Sequence, residues 1–126
     1  MSYIIVFLGA GIGGALRHGT NIACARLCGA AFPWGTLTVN VVGSLVMGLL
    51  AAWFAFRAGP GLTQHARLFL TTGVLGGYTT FSAFSLDVVL LYERGQLGLA
   101  LTFALASGGL SIAGLFLGLF VVRAWS

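Results

Sequence analysis

The chain has no lysine, and only two acidic residues, two cysteines, two histidines and two prolines. Each scarcity excludes something. Charged residues make up 6% of the composition, against roughly 25% in a soluble domain, so there is no charged shell to face water. Six arginines and nothing else of that sign are too sparse for a nucleic-acid surface. Cys24 and Cys28 stand alone, without further Cys or clustered His, so neither a metal centre nor a disulfide framework is implied. No nucleophile–base pair and no metal-ligand cluster is visible, so an enzyme is not expected. The absence of a nucleotide-binding motif argues against an ATP-driven pump.

What is present is apolar. Hydrophobic residues are 59% of 126, and the mean hydropathy is +1.04. A helix needs about 20 residues to cross the hydrocarbon, so four helices use roughly 80. The expected fold class is therefore an all-α integral membrane protein with four transmembrane helices, over about 3–24, 35–56, 67–92 and 97–122. They form a single domain, 1–126, and leave no room for a soluble one. The first segment is too long, and too rich in glycine at its end, for a cleaved signal peptide, and it lacks a basic start.

The third segment carries TTGVLGGYTTFSAFS at 71–85. Gly73, Gly76 and Gly77 are poor helix formers, and Thr79 and Thr80 are β-branched. A helix broken at mid-membrane frees backbone groups where there is no bulk water. Such backbone is tolerated only when buried in protein, lining a polar cavity or coordinating an ion. Two readings stand side by side: an ion site built from carbonyls, and glycines that let two helices touch. Phe81 and Phe84, just after the break, read on their own as core packing.

Other polar residues fall at helical spacing. Ala10, Gly14, Arg17 and Asn21 share a face, with Gly9 and Gly13 as a GxxxG pair beside it. An arginine as deep as Arg17 faces a water-filled vestibule or snorkels to the interface; the vestibule is expected. Asn40 lies in a stripe with Thr36, Gly43, Ser44 and Gly48. Its amide either joins helices or donates to an anion. Asp87 is expected to be structural, pairing with an arginine or capping backbone. Phe103, Ser107, Ser111, Gly114 and Gly118 share a face of the fourth segment, as packing seam, polar track or both. Gly59, Pro60 and Gly61 mark a turn, and Glu93, Arg94 and Gly95 a tight connection.

Orientation is nearly balanced. Arg57, Arg67 and Arg123 fall on one side; Arg26 and Arg94 fall on the other, with Arg17 near it. Topology follows the Lys/Arg bias. A chain so balanced can insert both ways, which permits an antiparallel dimer. The small-residue faces at Gly9/Gly13 and Gly114/Gly118 are its expected contacts.

Three motifs, GGALRH at 13–18, GTLTVNVVGS at 35–44 and GVLGGYTTFSAFS at 73–85, resemble the Fluc (CrcB-like) fluoride channel family, across all four segments in order. The resemblance implies a fluoride-selective ion channel that exports fluoride passively across the bacterial inner membrane and so lowers its toxicity. It implies a dual-topology, antiparallel homodimer in the lipid bilayer, with no nucleic acid as partner. It implies a structural Na+ at the dimer centre, held by the backbone carbonyls of Gly76 and Thr79. By the same resemblance the fluoride pathway contains Asn40, Phe81, Phe84, Ser107 and Ser111, and Arg17 belongs to a vestibule. The physical logic agrees, because an aromatic ring offers a weakly positive edge to an anion.

Three positions depart from that pattern. Ala83 stands where the family usually has Thr, Phe103 where it often has a hydrogen-bonding residue, and Leu115 where it usually has Thr. Competing readings are a dual-topology exporter of small molecules or cations, a cation-selective pore, and a non-transporting structural membrane subunit. The exporter needs a membrane-embedded carboxylate, which the first segment lacks. The cation pore needs acidic mouths, which are also missing.

Overall fold

The computed structural model of the chain describes residues 1–29, 32–56 and 63–125. The turn expected at Gly59–Gly61, and Arg57, lie outside the described residues. Among the described residues every regular element is helical: α1 (Ser2–Cys28), α2 (Trp34–Phe56), α3 (Thr63–Arg67), a π-helical segment (Leu68–Leu75), α4 (Gly76–Tyr78), α5 (Ser82–Glu93) and α6 (Leu97–Trp125).

Glycine terminates two of these elements. Gly29 follows α1 with φ 84°, and its N–H reaches the Ala25 carbonyl. Gly95 follows α5 with φ 79°. There Gly95 N–H bonds Tyr92 O at 3.0 Å and Gln96 N–H bonds Leu91 O at 3.0 Å. This is the Schellman pattern, which needs a left-handed residue that glycine adopts without a Cβ penalty. The chain thereby reverses directly into α6.

Packing runs through glycine. α2 lies along α6 in the most extensive helix contact of the molecule. A Cβ on Gly118 would stand 2.6 Å from Leu49 N, so the two backbones nearly touch. On the other side α1 packs on the π-helical segment and α4. A Cβ on Gly9 would stand 2.9 Å from Gly73 Cα, and one on Gly13 2.8 Å from Tyr78 N. Where lipid is as apolar as leucine, close approach of this kind replaces hydrophobic sorting as the source of helix contact. The small-residue faces Gly9/Gly13 and Gly114/Gly118 are therefore used inside the chain, not as the contacts between copies that the sequence led us to expect.

The outside of the bundle is apolar. Phe7, Leu8 and Ile12 on α1, and Leu105, Ile112 and Phe116 on α6, are all exposed. Three helical stretches, Trp34–Phe54, Gln64–Glu93 and Leu97–Ala124, are long and apolar enough to cross a membrane. α1 is as long, but Arg17 and His18 lower its hydropathy. Apolar helices with apolar outer faces make this a multi-pass membrane protein.

Candidate functional site

The helical run after α3 stops at Thr79, whose backbone is extended at φ −79°, ψ 160°. The glycines before it do not cause the stop. Gly73, Gly76 and Gly77 are all helical. Gly77 is required by contact, since a Cβ there would stand 2.9 Å from Ala10 Cα. Gly76 is not: its φ of −61° suits any residue, and among the described residues outside its own turn a Cβ would meet only Thr71 O, at 3.7 Å.

The interruption is stabilised from α2. Asn40 accepts from Thr80 N–H at 2.9 Å through Oδ1 and donates to Thr80 O at 3.1 Å through Nδ2. One side-chain amide thus satisfies both backbone groups of a residue that has left the helix. The next turn starts with the Thr80 hydroxyl, which accepts from Ala83 N–H at 3.1 Å, a side-chain cap of the usual kind. In an uninterrupted helix Thr80 N–H would bond Gly76 O, and Ala83 N–H would bond Thr79 O. Both amides are diverted, so the Gly76 and Thr79 carbonyls lose those helical partners. Thr79 itself is anchored by its hydroxyl to Leu75 O at 3.0 Å.

Beside the interruption lies a cavity of about 290 Å³. α2 contributes Asn40 and Ser44, the interruption Thr79 to Phe81, α5 Phe84, and α6 Ser107, Gly108, Ser111 and Ile112. The residues assigned to an anion path from sequence, Asn40, Phe81, Phe84, Ser107 and Ser111, are thus brought to one open cavity. Ser107 is buried. The Ser111 hydroxyl is also buried and is without a hydrogen-bond partner among the described residues. Phe81 is 78% exposed at the rim, its ring 5.6 Å from that of Phe84. Ser44, Thr80, Gly108 and Ile112 are wall residues that the sequence left unassigned; for Ser44 the polar stripe on α2 was the available signal.

A second cavity, of about 320 Å³, opens where the end of α1, the start of α2 and the end of α5 meet. Asn21, Thr36, Asp87 and Arg94 line it. Asp87 accepts from the buried Thr36 hydroxyl at 2.6 Å, so its partner is a hydroxyl on α2. Arg17 is half-buried on α1 and lines neither cavity. Nearby, Tyr78 and Thr20 hydroxyls share a hydrogen bond of 3.0 Å that ties α4 to α1.

A cavity of neutral donors and ring edges, next to carbonyls released from a helix, suits passage of a small ion better than covalent chemistry. Proteins of similar sequence point the same way. The chain is 59% identical over 124 residues to the fluoride-specific ion channel FluC of Rhodopseudomonas palustris strain BisB5, with 98% of each chain covered. It is 56% identical over 123 residues to fluoride-specific ion channel FluC 2 of Nitrobacter hamburgensis, again with 98% of each covered. The fluoride-specific ion channel FluC of Granulibacter bethesdensis is also 56% identical, over 98% of this chain and 95% of its own length. Residues 4–119 match the family described as CrcB-like protein, Camphor Resistance (CrcB). With nearly its whole length matched, the chain belongs to the CrcB-like family.

Proposed function

We infer that the protein is a fluoride channel, a membrane protein and not an enzyme, through which fluoride leaves the cell passively. The observation that carries the reading is the convergence of Asn40, Phe81, Phe84, Ser107 and Ser111 on one cavity, in a chain whose full-length relatives bear that name. A small anion that enters such a path gives up part of its water and needs donors in exchange. The Ser111 hydroxyl has a donor to spare, and ring edges offer weak positive contacts. Several weak contacts let an ion leave as well as enter. The exporter reading would need a free carboxylate in the membrane, whereas Asp87 is engaged by Thr36.

The finer arrangement belongs to the same proposal. Four spans cross the bacterial inner membrane, the third interrupted at mid-depth, and two copies insert in opposite orientation as an antiparallel homodimer. Two features support a partner there. Gly76 is exposed in the single chain, and so is the Phe81 ring. The carbonyls of Gly76 and Thr79, relieved of Thr80 N–H and Ala83 N–H, fit a structural Na+ held by oxygen alone. When bound, such an ion supplies positive charge that holds carbonyls of both copies together. Arg17 is assigned to the vestibule by the family's first motif. Liposomes carrying the purified protein are expected to release fluoride quickly and chloride hardly at all. Comparable efflux of both anions would overturn the reading.

A further inference from the structure

Five aromatic rings form a continuous chain through the molecule. Trp34 lies 4.6 Å from Phe32, Phe32 5.6 Å from Phe103, Phe103 5.3 Å from Phe84, and Phe84 5.6 Å from Phe81. Phe32 and Trp34 line the cavity near Asp87; Phe81 and Phe84 line the cavity near Asn40. Phe103 lines neither and is 0% exposed. It is the ring between the two.

A phenylalanine side chain leaves its ring rotation loosely determined, because the terminal torsion is broad. The tilt of Phe84 is therefore set by what touches it. Phe103 meets it at an interplanar angle of 39°, and Phe32 holds Phe103 edge-on at 86°. Ring orientation matters to an anion, since the edge is positive and the face negative. A rotated Phe84 would turn an attractive wall into a repulsive one without changing its bulk. An aliphatic residue at 103 would fill space but would not impose a ring angle.

We propose that Phe103, braced by Phe32, is a positioning residue that fixes the tilt of the Phe84 ring and so determines how well the path separates fluoride from larger anions. This rests on the fluoride-channel reading above. It gives a role to a position where this chain departs from the hydrogen-bonding residue often found in the family. The hydroxyl is dispensable because the ring contact does the orienting.

The test compares Phe103→Leu, Phe103→Tyr and Phe32→Leu with the parent, in liposomes loaded with fluoride or chloride, with gel filtration of each protein. Phe103→Leu is expected to elute as the parent does. Its fluoride efflux should fall about tenfold, the loss of one oriented aromatic pair, and its fluoride-to-chloride ratio should fall with it. Phe103→Tyr, which keeps the ring, should restore the ratio to the parental value. Phe32→Leu should shift the ratio in the same direction by less, and it decides the matter if Phe103→Leu does not fold. A parental ratio in the leucine variants would overturn the proposal, and so would a Phe103→Tyr as impaired as Phe103→Leu. A parent that moves no fluoride overturns the channel reading instead.

Discussion

Asn40 holds the N–H and the carbonyl of Thr80 with the two ends of its amide. In Asn40→Ala, Thr80 N–H and Thr80 O both lose their partner; both are partly buried, so each costs less than the roughly 1–3 kcal/mol of a fully buried unsatisfied group. The expected outcome is a lower thermal midpoint in detergent together with reduced fluoride efflux. Asn40→Asp keeps an acceptor for Thr80 N–H but sets a negative oxygen against Thr80 O and in the anion path, so efflux should stop. An Asn40→Ala protein with parental melting would show that the interruption stands without it. Gly76 and Gly77 separate by the same kind of measurement. Gly77→Ala drives a Cβ into Ala10 and should melt early. Among the described residues outside its own turn, Gly76→Ala meets nothing closer than Thr71 O, and it gains helix propensity of up to about 1 kcal/mol. Parental melting for both would mean that α1 yields to the extra methyl. The sequence marked both glycines alike, because their difference depends on which face of the helix meets α1.

At the scale of elements, what holds the bundle is backbone touching backbone. Gly118→Val would force its Cβ toward Leu49 N and Leu45 O. Overpacking of this sort costs roughly 1–3 kcal/mol, and here the obstacle is main chain that cannot rotate away. Gly109→Val on the same helix has open space around it and serves as the control. The expected result is a marked fall in thermal midpoint for the first and little change for the second. Equal melting of the two would mean that α2 and α6 do not depend on that contact. The interruption after α4 illustrates how far local sequence reaches. Weak helix formers drew attention to 71–85, yet the glycines stay helical and the chain leaves the helix at Thr79. The deciding partner, Asn40, is 40 residues from Thr80 in sequence.

For the whole molecule, the outer faces are apolar and exposed in the single chain, as the proposed dimer in a bilayer requires. With Gly9, Gly13, Gly114 and Gly118 occupied within the chain, the proposed dimer draws on the exposed side near Gly76 and Phe81 instead. Adding several lysines to one terminus should lock the orientation through the charge bias. A locked protein should lose fluoride efflux alone and regain it when mixed with a partner locked the opposite way. Full activity from a single locked protein would contradict the antiparallel arrangement.

Composition and motif were enough to determine a helical membrane protein and its family. Hydropathy needs no neighbours to be read, and the three motifs lie in consecutive sequence. They also named the residues that meet in the cavity beside Thr79. Tertiary structure alone decided what those residues do to one another. It turned Asn40 toward the Thr80 backbone, Asp87 toward Thr36 and Phe103 toward Phe84. It also turned the glycine stripes inward against backbone. Each of these outcomes depends on the rotation of one helix about its axis relative to another. A helical periodicity defines a face but not what that face meets.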